Sequence, residues 1–561
     1  MSVAVCPDAF SAERDRIAGV RVRDENTAGG GLEYVRIIND AILGKYIKIN
    51  MQCLMRLLFG LAYTNTINAS EILAITPIPG TSHWNLMSSV LEVLIDRGHK
   101  VTIVSSFPRK TPHENYTHID LSKSMPIVMA SPWETVINVY RPPIECLEFL
   151  NAVQQQTCRT TFEDPQLRHA LSTRRYDLVI TELLGSRCDL YLASRLGVPH
   201  VAIVSSQMLT WYQDSFDSPS NPSYVATLNS PYPRPETFLQ RLRNLVNYVT
   251  VHAYFKYVDR GAAAVGARYF GPGHPDAETL LRNVSMVFLN THSSFDMAKP
   301  LATNFKEIGG IHLKPFKPLP ADLQEFIDSA EHGVIYFNLG SVVRMEDMPI
   351  DIQNGIKEGF AGLPQKILWK IESDRSTINL PKNVKTKKWF PQYDVIRHPN
   401  VKLFITHGGN SGVIEAISAG IPVLGLPIFF DQPRNLELFK HWGTGLFVDY
   451  NNFTKEEFVG KIKRILNDHR FKENAVDLSR RFHDRPVSPQ ETVAYWTEYV
   501  LRHDGAHHLK SQAVNTVWYQ YFPVDLLAVV TAVVASLSYF LHRVVAKTLA
   551  TVRHTFTQNY S

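Results

Sequence analysis

The sequence predicts an α/β protein with two parallel-sheet lobes, followed by a single membrane-spanning helix. Three observations support this prediction. The chain has 561 residues, more than one hydrophobic core usually serves. Short apolar segments alternate with helical patterns in two separate stretches, which is typical of parallel sheets covered by helices. Near the C terminus, residues 526–541 form an apolar run without a charged residue.

The first lobe is predicted at 71–300 from apolar segments that have the pattern of strands. These segments are EILAITPIP (71–79), HKVTIVSS (99–106), YDLVITE (176–182) and HVAIVSS (200–206). Between the first two, HWNLMSSVLEVLIDRG has helical spacing and ends at Gly98, a residue type that commonly ends helices. The order strand, helix, strand indicates a parallel sheet.

The second lobe is predicted at 321–485 from the same alternation. Its strand candidates are GVIYFNLGS (333–341), KILWKIE (366–372), VKLFITH (401–407) and VLGLPIF (423–429). Between the lobes, KPFKPLP is rich in proline, which suits a semi-rigid connection. We therefore take 301–320 as the linker.

The apolar run near the C terminus predicts a transmembrane helix at 524–546. About 17 to 25 residues suffice to cross a bilayer, aromatic residues precede the run, and basic residues follow it. A buried core helix is the alternative interpretation. Because basic residues favour the cytosolic side, the tail at 547–561 is expected in the cytosol. The helical segment at 486–523 and both lobes are then expected on the lumenal side.

Lumenal lobes require an entry signal, and the candidate is the segment 51–70. Arg56 lies beside a short apolar run there, and small residues end the segment. A polar extension at 1–50 precedes it, so we expect the biological start at Met51. These features predict a single-pass type I protein of the endoplasmic reticulum membrane. Acceptor sequons for N-glycosylation occur at Asn68, Asn115, Asn283 and Asn452.

Composition excludes several classes of function. The formal charge of +5 is spread along the chain rather than clustered, which argues against a nucleic-acid partner. The sequence contains no CxxC pair and no HExxH motif, so a bound metal has no sequence support. Five cysteines are too few for a disulfide scaffold. With Cys6 and Cys53 set aside, at most one disulfide is expected among Cys146, Cys158 and Cys188.

The most informative segment is FITHGGNSGVIEAISAGIPVLGLPIFFDQ, residues 404–432. His407 follows a predicted strand and meets a glycine pair that lets the backbone approach an anion. The helix predicted to start near Gly412 offers free N–H groups and a positive dipole end to a diphosphate. Glu415, one turn into that helix, can accept hydrogen bonds from two ribose hydroxyls.

Further candidates lie at other predicted strand ends of the second lobe, where doubly wound sheets bind their ligands. Asp431 and Gln432 supply an acceptor and an amide suited to sugar hydroxyls. Trp389, close to Gln392, offers a flat face to a base, and Ser341 lies on a glycine-led turn that can reach a phosphate.

Taken together, this spacing resembles the signature of the UDP-glycosyltransferases, membrane-bound animal enzymes that move a sugar from a UDP-sugar to small lipophilic molecules. The resemblance covers about 71–547, and the runs at 309–341 and 485–510 look closest to arthropod members. It implies a GT-B architecture, with the acceptor in the first lobe and the UDP-sugar in the second. The UDP-sugar is a co-substrate, and the resemblance implies neither a cofactor nor a metal.

The resemblance also implies roles for the second-lobe residues: Trp389 and Gln392 for uracil, Glu415 for ribose, Ser341, His407, Gly409, Asn410, Ser411 and Gly412 for the phosphates, and Asp431 and Gln432 for the sugar. Ser411 stands where many vertebrate members have asparagine, so one phosphate contact is expected to be shorter or absent. Lys370 lies near a basic position of relatives, but its spacing differs by one residue.

The first lobe is expected to hold the catalytic base, and His83 in PGTSHW is the candidate because it follows the first strand. In the family such a histidine removes the proton of the acceptor hydroxyl while the oxygen attacks the anomeric carbon, with inversion. A carboxylate behind the imidazole would orient it. Glu182 directly follows its strand and is the first choice for this carboxylate, and Asp189 is the second.

Several questions stay open at this stage. Aromatic residues between 125 and 257 suit either a lipophilic acceptor pocket or the core. Glucose is the expected sugar, with glucuronate as the alternative. A retired member that binds ligand without turnover is the second hypothesis for function. A nicotinamide-dependent oxidoreductase is disfavoured, because ITPIPGTSH lacks GxGxxG. The oligomeric state is open, and a homo- or hetero-oligomer is compatible with the sequence.

Overall fold

The computed structural model describes residues 69–559, with gaps at 77, 110, 126–142, 185–186, 217–219, 228–229, 272, 342–346, 372–379, 512, 514–515 and 522. The predicted extension at 1–50 and nearly all of the predicted signal segment lie outside the described residues. The same holds for Cys6, Cys53 and the sequon at Asn68.

A seven-stranded parallel sheet forms the first lobe. Its strands in chain order are β1 Glu71–Ile75, β2 Lys100–Ser105, β3 Tyr116–Asp120, β4 Leu178–Glu182, β5 His200–Val204, β6 Met286–Leu289 and β7 Phe305–Glu307. In space the order is β3-β2-β1-β4-β5-β6-β7, so the direction of winding reverses between β1 and β4. All described residues of β4 and β5 are buried, which explains their unbroken apolar patterns.

Helices surround this sheet. They are α1 Thr81–Asp96, α2 Pro143–Glu163, α3 Pro165–Thr173, α4 Leu190–Leu196, α5 Thr210–Gln213, α6 Phe238–Phe270 and α7 Ala277–Arg282. A disulfide joins Cys158 on α2 to Cys188, which lies in the 3-10 turn Arg187–Asp189. This is the one bridge that the sequence allowed, and both cysteines are buried.

Two local features differ from the sequence prediction. Strand β1 ends at Ile75 rather than at Pro79, because the proline-rich sequence that follows lacks backbone N–H donors for a ladder. Strand β7 lies inside the segment predicted as the linker. Its three residues carry no strand pattern, but Phe305 is buried in the core at the edge of the sheet.

A six-stranded parallel sheet forms the second lobe. Its strands are β8 Val334–Asn338, β9 Lys366–Lys370, β10 Val384–Lys387, β11 Val401–Thr406, β12 Val423–Gly425 and β13 Gly445–Phe447. The spatial order β10-β9-β8-β11-β12-β13 reverses between β8 and β11. Each sheet therefore has a switch point beside its first strand, where doubly wound sheets bind their ligands.

The helices of the second lobe cover both faces of its sheet, and two apolar clusters line those faces. The helices are α8 Ala321–Asp328, α9 Ile350–Ala361, α10 Gln392–Arg397, α11 Asn410–Ala419, α12 Gln432–His441, α13 Lys455–Asn467 and α14 Arg470–His483. Helix α11 ends at Gly420, whose φ of 61° is left-handed and favours glycine. The cap returns the chain directly into β12.

The chain then crosses back to the first lobe. Helix α15, Pro489–Arg502, begins with a capping box between Ser488 and Glu491 and packs against the core of the first lobe. The Glu498 carboxylate on α15 is buried and accepts two hydrogen bonds from the Arg97 guanidinium, at 2.7 and 3.0 Å. Arg485, in the segment that returns to the first lobe, donates to the carbonyl of Gly309, in the linker, at 2.8 Å. The two segments that connect the lobes are therefore bonded to each other.

The described residues end with a short helix, α16 Trp518–Tyr521, and a long one, α17 Val524–Asn559. Helix α17 contains a segment long and apolar enough to cross a membrane, and none of that segment is buried against the protein. The predicted span at 524–546 thus lies within a helix that continues through the predicted tail.

Candidate active site

The switch point of the first sheet brings together His83 and Glu182. His83 lies in the first turn of α1, the helix that follows β1, and Glu182 is the last residue of the adjacent strand β4. The distance from His83 Nδ1 to Glu182 Oε1 is 2.6 Å. Glu182 is 2% exposed, whereas the His83 side chain keeps 19% of its surface accessible. The pair therefore has a buried carboxylate and an imidazole that is partly accessible to solvent.

The charge state of His83 reflects two opposing effects. Burial lowers the pKa of His83, but the Glu182 carboxylate and, more weakly, Asp431 of the second lobe raise it, and the net pKa lies above its usual value. Because Glu182 occupies Nδ1, the other ring nitrogen, Nε2, remains for a substrate proton. This arrangement suits a general base oriented by a carboxylate.

Asp189, the second candidate carboxylate, lies elsewhere. It follows Cys188 at the end of the 3-10 turn, precedes α4, and is 1% exposed. The carboxylate that reaches His83 is Glu182. Of the aromatic residues considered for an acceptor pocket, Trp211, Tyr212 and Phe216 are buried in the core of the first lobe. Trp133 and Tyr140 lie outside the described residues.

The switch point of the second sheet positions His407. The imidazole lies between the backbones of Gly340, after β8, and Gly409, after β11. A β-carbon at Gly340 would lie 2.7 Å from Cε1 of the ring, and one at Gly409 would lie 2.5 Å from Nε2. Burial, with a smaller effect from Lys370, lowers the pKa of His407 to about 4. His407 is therefore neutral at physiological pH, and its buried Nδ1 has no hydrogen-bond partner among the described residues.

Helix α11 starts immediately after this ring. Its N-cap is Gly409, and the first N–H groups, those of Asn410, Ser411 and Gly412, have no partner within the helix. They form a site suited to a phosphate. The side chain of Asn410 points elsewhere, because its Nδ2 donates to the carbonyls of Ser205 at 2.9 Å and Asn290 at 2.8 Å in the first lobe.

A hydrogen-bonded chain of three side chains runs from β8 to α11. Asn338 Nδ2 donates to Gln392 Oε1, and Gln392 Nε2 donates to Glu415 Oε2. Burial raises the pKa of Glu415 to about 7, although the bond from Gln392 lowers it. Sequence reasoning missed Asn338, which also accepts from the Gly340 N–H at 2.8 Å and so shapes the turn before Ser341. A polar residue at the end of an apolar strand was the available signal.

Trp389 is 64% exposed, so its ring is accessible for stacking. The ammonium of Lys370 lies 5.8 Å from the centre of that ring and donates to the Gly340 carbonyl at 2.7 Å. Ser341 follows Gly340 in the same turn. These residues border one end of the candidate nucleotide site.

Asp431 and Gln432 lie at the start of α12. Asn435 Nδ2 donates to Asp431 Oδ2 at 2.7 Å, and burial raises the pKa of Asp431. The Gln432 oxygen accepts from the backbone N–H groups of Ile428 and Phe429, at 2.8 and 3.1 Å. The loop therefore fixes the Gln432 side chain by its oxygen, which leaves its NH₂ group for a ligand.

The comparisons with known proteins agree on one family. The sequence model described as "UDP-glucoronosyl and UDP-glucosyl transferase" matches residues 72–557. UDP-glucosyltransferase 2 of Dactylopius coccus is 39% identical over 470 residues, 82% of this chain and 90% of the relative. UDP-glucuronosyltransferase 2B7 of Homo sapiens is 30% identical over 487 residues, with the same shares.

Solved structures support the fold. The crystal structure of CalG4, the calicheamicin glycosyltransferase, covers 78% of this chain and 99% of its own, with a TM-score of 0.54 at 17% identity. The crystal structure of the glycosyltransferase of kitacinnamycin covers 76% of this chain and 98% of its own, with a TM-score of 0.52 at 19% identity. The two-lobed GT-B architecture is thereby confirmed.

Proposed function

This chain belongs to the UDP-glucoronosyl and UDP-glucosyl transferase family and is a UDP-glycosyltransferase, and on that premise we propose that it transfers glucose to a hydroxyl group of small lipophilic acceptors, with inversion. The observation that carries this proposal is the 2.6 Å contact between His83 and Glu182 at the switch point of the first sheet. It supplies an oriented base where an acceptor can enter.

In the proposed reaction His83 takes the proton of the acceptor hydroxyl as the oxygen forms a bond to the anomeric carbon. The bond from that carbon to the diphosphate breaks on the opposite face, so configuration inverts and UDP leaves. Glu182 holds the tautomer with the proton on Nδ1 and stabilises the imidazolium that forms. Asp431, which is electrostatically coupled to His83, adds to that stabilisation.

The second lobe is proposed to bind the donor in four parts. Trp389 and Gln392 take the uracil, and Glu415 accepts from the ribose. The α11 N–H groups and neutral His407 donate to the diphosphate and stabilise its charge as it leaves. Asp431 and the Gln432 NH₂ group bind the sugar hydroxyls.

Two structural features support a proposal about location. Helix α17 is exposed and contains a segment long and apolar enough to cross a membrane, which supports a membrane anchor. We propose that the membrane is that of the endoplasmic reticulum and that both lobes are lumenal. The Cys158–Cys188 disulfide supports this, because disulfides persist in oxidising compartments. An anchored enzyme meets lipophilic acceptors that have partitioned into the bilayer.

The test is product formation by membranes that contain the full-length chain. UDP-glucose and UDP-glucuronate are each supplied with a panel of phenols and other small alcohols, beside His83→Ala and an exposed control, His508→Ala. Glucoside formed by the wild type and the control but lost in His83→Ala would support the proposal. Glucuronide in place of glucoside would change the donor. Binding of UDP-sugar without product from any pairing would favour the retired-enzyme hypothesis.

A further inference from the structure

A buried charged cluster joins helix α12 of the second lobe to the first lobe. Arg434, in the first turn of α12, is 3% exposed. Its Nη2 donates to Asp296 Oδ1 at 2.7 Å, and its Nη1 donates to Gln207 Oε1. Asp296 follows β6, and Gln207 follows β5, so both acceptors belong to the first lobe. The Arg434 guanidinium of the second lobe thus donates hydrogen bonds to two different loops of the first lobe.

The cluster holds one carboxylate between two cations. Lys299 Nζ lies 3.3 Å from Asp296 Oδ2, and the Met297 N–H donates to Asp296 Oδ1 at 2.9 Å. Burial alone would raise the pKa of Asp296, but Lys299 and Arg434 hold that pKa well below its usual range. Asp296 is therefore ionised at physiological pH. A buried ion pair of this kind adds little net stability over apolar residues, but its bonds fix a geometry.

The rest of α12 is docked along the same first-lobe loop. The rings of Phe439 and Phe295 lie 5.1 Å apart, and the Trp442 indole N–H donates to the Phe295 carbonyl at 2.8 Å. Arg434, Phe439 and Trp442 therefore contact the first lobe from both ends of the helix. Motion of the loop at 291–297 would move α12 with it.

The sugar-binding candidates lie at the start of this docked helix. Asp431 precedes Arg434 by one turn, and Asn435, beside Arg434, donates both to Asp431 and to the Gly408 carbonyl, at 2.7 and 3.0 Å. A small cavity is bordered by Gln207, Asp296, Asn410, Asp431 and Arg434. Arg434 and Asp431 thus border the same cavity and lie about one helical turn apart.

We propose that Arg434 is a positioning residue. Its bonds to Asp296 and Gln207 hold Asp431 and Gln432 so that the sugar they bind lies within reach of an acceptor beside His83. The inference rests on the proposed function, because it assigns the sugar to Asp431 and Gln432. Arg434 sets the register between the lobes, while the uracil, ribose and phosphate contacts lie on other elements. Loss of Arg434 should therefore lower the chemical rate more than the affinity for UDP.

The test uses the full-length chain in nanodiscs. Arg434→Met is compared with the wild type and with Arg480→Met, a control whose side chain is 78% exposed on α14. We expect kcat to fall about 10- to 100-fold in Arg434→Met, because a misplacement of about 1 Å has that cost. The dissociation constant of UDP, measured by titration calorimetry, should stay within about threefold of the wild-type value, because the groups proposed to contact UDP lie on other elements.

A second variant separates positioning from stability. Arg434→Met combined with Asp296→Leu and Lys299→Met removes all three charges of the cluster, so no unpaired charge stays buried and thermal stability should recover. Under the proposal kcat stays low in this triple variant. Recovery of kcat together with the melting temperature would show that the cluster is only structural and would overturn the inference. Equal losses of UDP affinity and kcat in the single variant would overturn it as well.

Two results distinguish loss of the proposed function from loss of the positioning role alone. A wild-type enzyme that forms no glycoside with any UDP-sugar would remove the proposed function, and the positioning role with it. A wild-type enzyme that forms glycoside while Arg434→Met retains full kcat would remove the positioning role alone.

Discussion

His83 and Glu182 are 99 residues apart in the chain, yet a 2.6 Å contact joins their side chains across adjacent strands of one sheet. The contact exists because the winding of the sheet reverses between β1 and β4, so the carboxyl ends of these strands lie side by side. Neither residue needs a loop of special length to reach the other. The topology of the sheet thus brings the candidate base and its partner carboxylate together.

The pH dependence of the reaction should report this pair. A base must be neutral to accept a proton, so activity is lost as pH falls through the pKa of His83, which lies above its usual value of 6.5. Glu182→Gln removes the larger of the two effects that raise this pKa. The acid limb of the kcat/KM profile should therefore move to lower pH, while kcat at its plateau falls about 100-fold or more. An unchanged acid limb in Glu182→Gln would contradict this assignment.

Donor affinity should have its own pH dependence through Glu415. Its pKa is raised to about 7 by burial, and only the ionised carboxylate accepts from two ribose hydroxyls. Affinity for UDP-glucose should therefore weaken as pH falls below about 7, by up to about tenfold per pH unit. Titration calorimetry between about pH 5.5 and 8.5, a range that brackets this pKa, measures the change in affinity. Glu415→Gln should bind weakly at every pH, and a persisting pH dependence in that variant would point to another group.

The glycines around His407 can be tested by adding a single methyl group. Gly409 has a φ of −66°, which any residue adopts, so Gly409→Ala acts only through the 2.5 Å approach of its β-carbon to His407 Nε2. We expect overpacking to lower the free energy of unfolding by about 1–3 kcal/mol. Donor affinity should fall as well, because the imidazole must move. Gly460→Ala is the matched control, because a β-carbon there meets no atom within 4 Å. Wild-type affinity in Gly409→Ala would show that the ring can move without consequence for the donor.

The disulfide should stabilise the first lobe. Cys188→Ala is expected to lower the free energy of unfolding by about 2–5 kcal/mol, because the bridge restricts the unfolded chain. Cys158→Ala should cost nearly the same, and the double variant should cost little more than either, since the two cysteines act as one unit. Differential scanning calorimetry of the three variants measures this. Additive losses would mean that the cysteines stabilise the lobe independently of each other.

Lumenal lobes should carry N-glycans. Asn283 at the end of α7 and Asn452 at the end of a 3-10 turn are both exposed, and each begins an acceptor sequon. Treatment with an endoglycosidase should increase the mobility of the expressed chain on a gel. Asn283→Gln and Asn452→Gln should each remove one step of that shift. A chain whose mobility never changes, while an intact secreted control is deglycosylated, would contradict a lumenal orientation.

The sequence predicted those parts of the site that are local. The segment 404–432 encodes a strand, a turn, a capped helix and a carboxylate in consecutive order, and the structure has all of them in that order. The two parallel sheets were likewise predictable, because buried parallel strands have unbroken apolar patterns. Helix α11 begins two residues earlier than the glycine that suggested its start, within the usual uncertainty of helix ends.

What the sequence could not supply are the contacts between distant segments. Spacing alone left Glu182 and Asp189 as alternatives, and only the pairing of β1 with β4 decides which carboxylate reaches His83. Arg434 and Asp296 are separated by 138 residues, and no local pattern marks an arginine whose partner lies in the other lobe. The side chain of Asn410 was expected near the phosphates, but it bonds instead to first-lobe carbonyls.

The return of α15 to the first lobe determines which lobe lies next to the anchor in the chain. Glu498 is buried in the first lobe and Leu509 packs against its core, so only a short segment separates that lobe from the helix that begins at Val524. Along the described chain, the second lobe is therefore joined to the anchor through a helix that is packed on the first lobe. A change in the angle between the lobes would move the second lobe relative to the anchor, while the first lobe would keep its place beside it.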